Sequence, residues 1–120
     1  MTFQGESDPR VSIVNDSVRI RSLYGTDINF ASIADITLVP KSMREIGIGT
    51  RTNGYATSGQ ALKGTFHSLE RGSQLLFVFS NSSPTIHIEI IRGIDVFISF
   101  RDSERTEAVY HMISSALASR

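Results

Sequence analysis

The feature that most constrains this chain is a series of short segments in which apolar and polar residues alternate. Ile86, Ile88 and Ile90 are separated by polar residues, and the same period of two recurs along most of the chain. This period places successive side chains on opposite faces of a strand. Clusters of turn-forming residues, such as Asn15-Asp16-Ser17, interrupt the alternation at short intervals. The pattern therefore predicts a β-rich domain built largely from hairpins.

About seven antiparallel strands are predicted in this way. Leu75 to Phe79 is apolar at every position, which is typical of a central strand that is buried on both faces. The turn at Asn81-Ser82-Ser83-Pro84 separates this strand from a last hairpin, which turns at Arg92-Gly93. The predicted strands centre on residues 11–13, 18–20, 28–38, 61–66, 75–79, 86–90 and 96–100.

The last segment changes its period and predicts a helix over 103–117. Five apolar residues fall at i, i+3, i+4, i+7 and i+8, which forms one stripe on a helix. They are Val109, Met112, Ile113, Ala116 and Leu117. Asp102 or Ser103 is suited to cap the first turn. Because the stripe has to be buried, we expect two packed sheets or a bent barrel whose open end is closed by this helix.

Length, charge and cysteine content limit the number of domains and the kinds of ligand that the chain can bind. The chain has 120 residues, so we expect one domain over 11–120, preceded by a flexible polar leader over 1–10. Twelve basic and twelve acidic residues cancel, which argues against charge-driven binding of nucleic acid. There is no cysteine, so thiolate metal sites and cysteine nucleophiles are excluded.

Several segments resemble a bacterial pleckstrin-homology-like (PH) domain family whose function is poorly defined. The most distinctive is Arg51-Thr52-Asn53-Gly54-Tyr55. The others are Val18 to Gly25, Lys63 to Phe66, Ser83 to Ile88, and Thr106-Glu107 before Tyr110. The resemblance implies a seven-stranded orthogonal sandwich or open barrel capped by the C-terminal helix. It also implies an interaction module, often attached to membrane-spanning segments.

The resemblance does not imply the phosphoinositide binding found in some eukaryotic PH domains. Eukaryotic PH domains that bind phosphoinositides use several lysines and arginines in the loop between the first two strands. In this chain that turn is Asn15-Asp16-Ser17, which is short and acidic. We therefore expect no phosphoinositide site at that position.

The glycine-rich stretch 41–59 is predicted to be a mobile loop that carries any binding function. Glycines allow a loop to adopt positive φ or to approach a ligand closely. Cations, an amide and an aromatic ring are concentrated there and just beyond it. The candidate binding residues are Arg44, Arg51, Asn53, Tyr55 and Lys63. Backbone amides of Arg51 to Gly54 could cradle an anion; alternatively, Asn53-Gly54 forms a turn and Arg51 pairs with a neighbouring strand.

Catalysis, metal binding and nucleotide binding have little support in the sequence. His67, His87 and His111 lie far apart and form no pair with the spacing of metal ligands. No nucleophile-elbow motif accompanies the serines, and the glycines do not follow a phosphate-loop spacing. We therefore expect no enzyme activity, no cofactor and no metal.

The leading hypothesis is a non-catalytic PH-like interaction module that binds a protein segment or its own copies. Exposed strand edges and the 41–59 loop would provide the contacts. The alternative is a module that binds an anionic membrane surface through Lys41, Arg44, Arg51 and Lys63, as one part of a membrane-anchored protein. Both hypotheses are compatible with a cytoplasmic location or with association at the cytoplasmic side of a membrane.

Overall fold

The computed structural model describes residues 8–57 and 60–120, which form nine strands and two α-helices. Their bounds are β1 Arg10–Val14, β2 Ser17–Arg21, β3 Thr26–Asn29, β4 Ile33–Val39, α1 Met43–Ile46, β5 Thr50–Ala56, β6 Ala61–Ser68, β7 Gly72–Phe79, β8 Thr85–Ile90, β9 Asp95–Ile98 and α2 Ser103–Ala118. The predicted class, mainly β with one C-terminal helix, is confirmed. Residues 1–7 of the leader predicted over 1–10 lie outside the described part of the chain. Its last residue, Arg10, belongs to β1.

A small sheet with the order β1-β2-β3 contains the first predicted hairpin. Val14 pairs with Ser17 across a two-residue turn, in which Asn15 adopts a φ of 55°. Asparagine tolerates this left-handed conformation better than most residues do. The hairpin predicted around Asn15-Asp16-Ser17 is thereby confirmed.

The third predicted strand is in fact two strands that belong to different sheets. The Asn29 side chain accepts a hydrogen bond from the Ala31 backbone N–H at 2.8 Å and starts a single 3-10 turn over Phe30–Ser32. Phe30 is buried at this corner. The capped turn redirects the chain from β3 in the small sheet to β4 in the large sheet, a change that the alternating pattern does not record.

The large sheet has the order β4-β8-β9-β7-β6-β5. Its other neighbours are antiparallel, but β7 and β9 run parallel, with Gln74 opposite Asp95 and Phe77 opposite Ile98. The β8–β9 hairpin folds back so that β9, rather than β8, lies beside β7. The expectation of antiparallel strands is therefore wrong for this one pair, while β7 is central, as predicted.

The main core lies between the two sheets and α2. Side chains from β2 and β3 pack against the inner face of the large sheet and against the helix stripe. Ile113 of α2 is completely buried, and Val109, Met112 and Leu117 pack beside it. Asp102 caps the helix through a 3.0 Å bond from the Glu104 backbone N–H. The predicted helix, its stripe and its role in closing the sandwich are confirmed, and the architecture is consistent with a PH-like sandwich.

A second, smaller apolar cluster lies on the outer face of the large sheet. Its sheet residues are Leu62, Phe66, Leu76, Val78 and Phe97. Met43 of α1 is fully buried against them, with Ile46 and Ile48 alongside. This cluster explains why Leu75 to Phe79 is apolar at every position: each face of β7 contributes to a different core.

Candidate functional site

The stretch predicted as one mobile loop, 41–59, contains two segments with different structures within its described residues, 41–57; residues 58–59 lie outside the described part of the chain. Residues 42–49, which we call the strap, cross the outer face of the large sheet and include α1. Residues 50–56 are strand β5, at the edge of the same sheet. The prediction of a loop over 41–59 is therefore wrong for most of its length.

The strap begins with a capping box. The Glu45 backbone N–H donates to Ser42 Oγ, and the Glu45 carboxylate accepts from the Ser42 N–H at 2.9 Å. These hydrogen bonds with Ser42 hold the pKa of the Glu45 carboxyl below its usual range. Reciprocal capping of this kind satisfies backbone donors that the helix leaves free. It explains how four residues, ending at Ile46, can form a helix.

The far end of the strap is fixed to β7 and to the turn before it by two polar side chains. Buried Gln74 donates through Nε2 to the carbonyl oxygens of Gly47 and Ile48, at 2.9 and 3.0 Å. Arg71 donates to the Gly47 carbonyl at 2.8 Å and to Gln74 Oε1 at 3.1 Å. Gly49, at φ +78°, lies against the backbone of His67, where a Cβ would overlap the carbonyl oxygen. The glycines here permit close packing rather than mobility.

Strand β5 pairs with β6 on one side only and is exposed along nearly its whole length. The register shifts between Arg51 and Asn53, and the extra residue, Thr52, donates its hydroxyl to the Thr65 carbonyl at 3.0 Å. Bulges of this kind disrupt the ladder and protect an edge from unwanted pairing. Only the segment from Asn53 to Ala56 therefore presents a regular free edge.

The predicted turn at Asn53-Gly54 is absent, and these residues lie within β5. Gly54 faces Gly64 across the pair, and Gly64 adopts a φ of +114°. A Cβ on either glycine would collide with the backbone of the opposite strand. The Arg51 to Gly54 segment is thus extended strand rather than a nest of amides. Of the alternative, the turn is wrong, while Arg51 does lie in a strand that pairs with its neighbour, opposite Phe66 of β6.

The five candidate binding residues do not converge. Arg51, Asn53 and Tyr55 are exposed on β5, whereas Arg44 lies on α1 and donates through Nε to Asn81 Oδ1 at 2.6 Å. Lys63 is only 2% exposed and lies opposite Tyr55 on β6. Desolvation by burial lowers the pKa of the Lys63 ammonium, and the charge of Asp8 partly offsets this effect. Lys63 is part of the interior rather than of an exposed loop.

The four cations of the membrane alternative also fail to form one face. Lys41 follows the end of β4, at one edge of the large sheet, whereas Arg51 lies at the start of β5, at the opposite edge. Strands β4 and β5 run in the same direction, so these two residues lie at opposite ends of the sheet as well. With Lys63 buried, the predicted set does not present a common surface.

His87 has a structural partner. Its Nε2 lies 2.8 Å from Asp95 Oδ2, and its ring stacks on Phe97 with centroids 4.4 Å apart. The other Asp95 oxygen accepts from the Ile90 N–H at 3.0 Å. These contacts fix the turn between β8 and β9. Within residues 8–57 and 60–120, no group of three or more histidine and acidic residues is placed to hold a metal ion.

The sequence analysis missed a group of large apolar residues in the turns. Leu69 lies between β6 and β7, and Ile91 and Ile94 lie between β8 and β9; all three are exposed. Turn positions normally favour glycine, proline and small polar residues. The unusual composition of these turns was the available signal, and it was obscured because Ile91 and Ile94 lie beside strands rich in the same residue types.

Neither helix in the described part of the chain has the length and apolar character that a membrane crossing requires. A scan of the sequence against protein-family models gives no match, and neither does a search of curated proteins or of solved structures.

Proposed function

We propose that this domain is a non-catalytic, PH-like interaction module that binds an extended protein segment, or a second copy of itself, by strand addition to β5. The observation that carries the proposal is the free edge of β5, which is exposed along nearly its full length and on both faces. The backbone N–H and C=O groups of an edge strand that do not face the sheet can pair with an added strand.

The regular part of this edge, Asn53 to Ala56, also carries suitable side chains. Tyr55 is 36% exposed, and its ring has one apolar body and one polar tip, a combination enriched at protein interfaces. Asn53 offers both a donor and an acceptor. The bulge at Thr52 ends the regular edge on one side, so it limits the length of the segment that can be added and fixes its register.

The other outer strand of the large sheet is less suitable. Strand β4 contains a register shift between Ile33 and Asp35, and helix α2 packs beside it. Asp35 also lies opposite Glu89, so two carboxylates occupy neighbouring positions there. These features favour β5 as the edge that accepts a partner.

The test is a double variant, Asn53→Asp with Tyr55→Ala, in which both changed side chains are exposed. Sedimentation equilibrium measures self-association, and amide chemical shifts map the binding of extended peptides selected from a random library. We expect binding or self-association to be lost, with an unchanged melting temperature. Lys41→Glu, an exposed change at the opposite edge of the sheet, is the control. Wild-type binding by the double variant would place the interface elsewhere, and unfolding would show that the two side chains are structural.

A further inference from the structure

Two adjacent turns at one end of the large sheet carry large apolar residues that are exposed. Strands β7 and β9 are parallel neighbours, so the turns that precede them, 69–71 and 91–94, leave the sheet side by side. Leu69 is 99% exposed, and Ile91 and Ile94 are about half exposed. Two isoleucines in a four-residue turn depart from ordinary turn chemistry, and no contact within the described residues accounts for Leu69.

A third turn lies close to these two. Leu23 and Tyr24, both exposed, lie in the turn between β2 and β3. Thr26, the first residue of β3, and Ile94 both line a shallow groove of about 210 Å³, which Leu75 also lines. The turns 22–25, 69–71 and 91–94, which we call the tip end, thus hold five of the six large apolar side chains exposed in the described residues.

Two turns of the tip end, 69–71 and 91–94, are held in place by contacts with the strap and the sheet. Arg71 is fixed by its bonds to Gly47 and Gln74. The 91–94 turn is anchored by Asp95, which accepts from the Ile90 N–H and contacts His87. Because these turns are ordered before any ligand arrives, little conformational entropy remains to be lost on binding.

The charge of the tip end is positive. Arg71 and Arg92 lie within the turns and Arg21 flanks the third turn, and all three are exposed; the turns contain one carboxylate, Glu70. Of the nearby carboxylates, Asp27 is paired with Arg19 at 3.0 and 3.1 Å and Glu89 lies further along β8, whereas Asp95 directly follows the 91–94 turn and adds a second negative charge. Three cations against Glu70 and Asp95 give the tip end an excess of one positive charge.

We propose that the tip end docks on an anionic lipid bilayer, with Leu69, Ile91 and Ile94 inserted among the lipids and the arginines at the level of the headgroups. Apolar tips rimmed by arginine match both layers of such a surface. A second copy fits less well, because tip-to-tip pairing would bring the arginines of one copy against those of the other. The inference uses a different face from the strand addition at β5, and each can fail without the other.

The first test measures co-sedimentation with phosphatidylcholine vesicles, with and without phosphatidylserine. We expect binding that requires phosphatidylserine and weakens with added salt. Leu69→Ser and Ile91→Ser should each weaken it about tenfold, because each removes one large apolar side chain from the lipid. For charge, Arg92→Glu should abolish binding, and Lys41→Glu should not.

The second test measures directly whether the Leu69 position enters the lipid bilayer. The chain contains no cysteine, so Leu69→Cys provides a unique site for an environment-sensitive fluorophore. Vesicles should shift its emission to shorter wavelength, whereas a label at Lys41→Cys, exposed at the opposite end of the sheet, should not respond. A wild-type protein that does not bind phosphatidylserine vesicles would overturn the proposal. Equal responses at the two labelled sites would also overturn it, as would tip variants that change only self-association.

Discussion

The strap and the edge strand come from one glycine-rich stretch, yet one is packed and the other is exposed. The strap has Met43, Ile46 and Ile48, which reach the apolar outer face of the sheet. The edge strand has Tyr55 as its single large apolar residue, and it gains little burial. The strap contains two glycines and the edge strand one, so the packed part is the richer in glycine, and glycine content does not predict exposure. The difference shows that a few correctly spaced apolar residues decide whether a glycine-rich stretch docks.

The largest expected effect tests this difference through one buried side chain in the strap. Met43→Ala should destabilise the protein by about 2–5 kcal/mol, because it leaves a cavity in the outer cluster. The matched change on the edge strand, Tyr55→Ala, should cost about 0.5 kcal/mol or less. Urea denaturation measures both. A small cost for Met43→Ala would mean that the strap is loosely held and would remove the contrast.

A second comparison separates close packing from backbone strain. Gly49 and Gly72 have nearly the same φ, +78° and +79°, but a Cβ at Gly49 would overlap the His67 carbonyl, whereas nothing lies within 4 Å of one at Gly72. Both alanine variants should lose about 1–3 kcal/mol through the unfavourable φ. Gly49→Ala should lose clearly more in the same denaturation experiment. Equal losses would mean that the strap end moves away freely.

Local disorder of the strap should follow the loss of its cap. Ser42→Ala removes the side-chain acceptor for the Glu45 N–H and should cost about 0.5–2 kcal/mol. Amide exchange should then accelerate at Ile46, the last residue of α1, and at Gly47, which caps the helix, while the exchange rates in β5 stay unchanged. Ser12→Ala, at an exposed position of β1, serves as the control. Faster exchange spread over the whole sheet would show that the strap and the sheet unfold as one unit.

Much of the fold was predictable, because apolar period alone specifies hairpins and the helix stripe. Ile113 was predicted to lie on the buried stripe of the helix, and Leu75 to Phe79 in a central strand; both are found in the cores. The parallel pairing of β7 with β9 was not predictable, since it depends on where a hairpin docks rather than on its sequence. For the site, the sequence drew attention to Tyr55 and Arg51, which are exposed as a binding role requires. The sequence wrongly predicted Lys63 to be an exposed binding residue, because lysine is a residue type that is normally exposed and nothing in the sequence indicates its burial here.

The smallest expected effect concerns this lysine, which lies on β6 beside the edge strand, and it is a change in how stability depends on pH. Burial lowers the pKa of Lys63 from its ordinary value of 10.5. The unfolded chain therefore binds more protons than the native protein between the lowered pKa and 10.5, so stability should rise with pH across that window. Lys63→Met keeps an apolar stem of similar length and should flatten this rise. Lys41→Met, at an exposed position, should leave it unchanged. The measurement is urea denaturation at a series of alkaline pH values. The same dependence of stability on pH in Lys63→Met and wild type would show that the ammonium is well solvated at its position on β6.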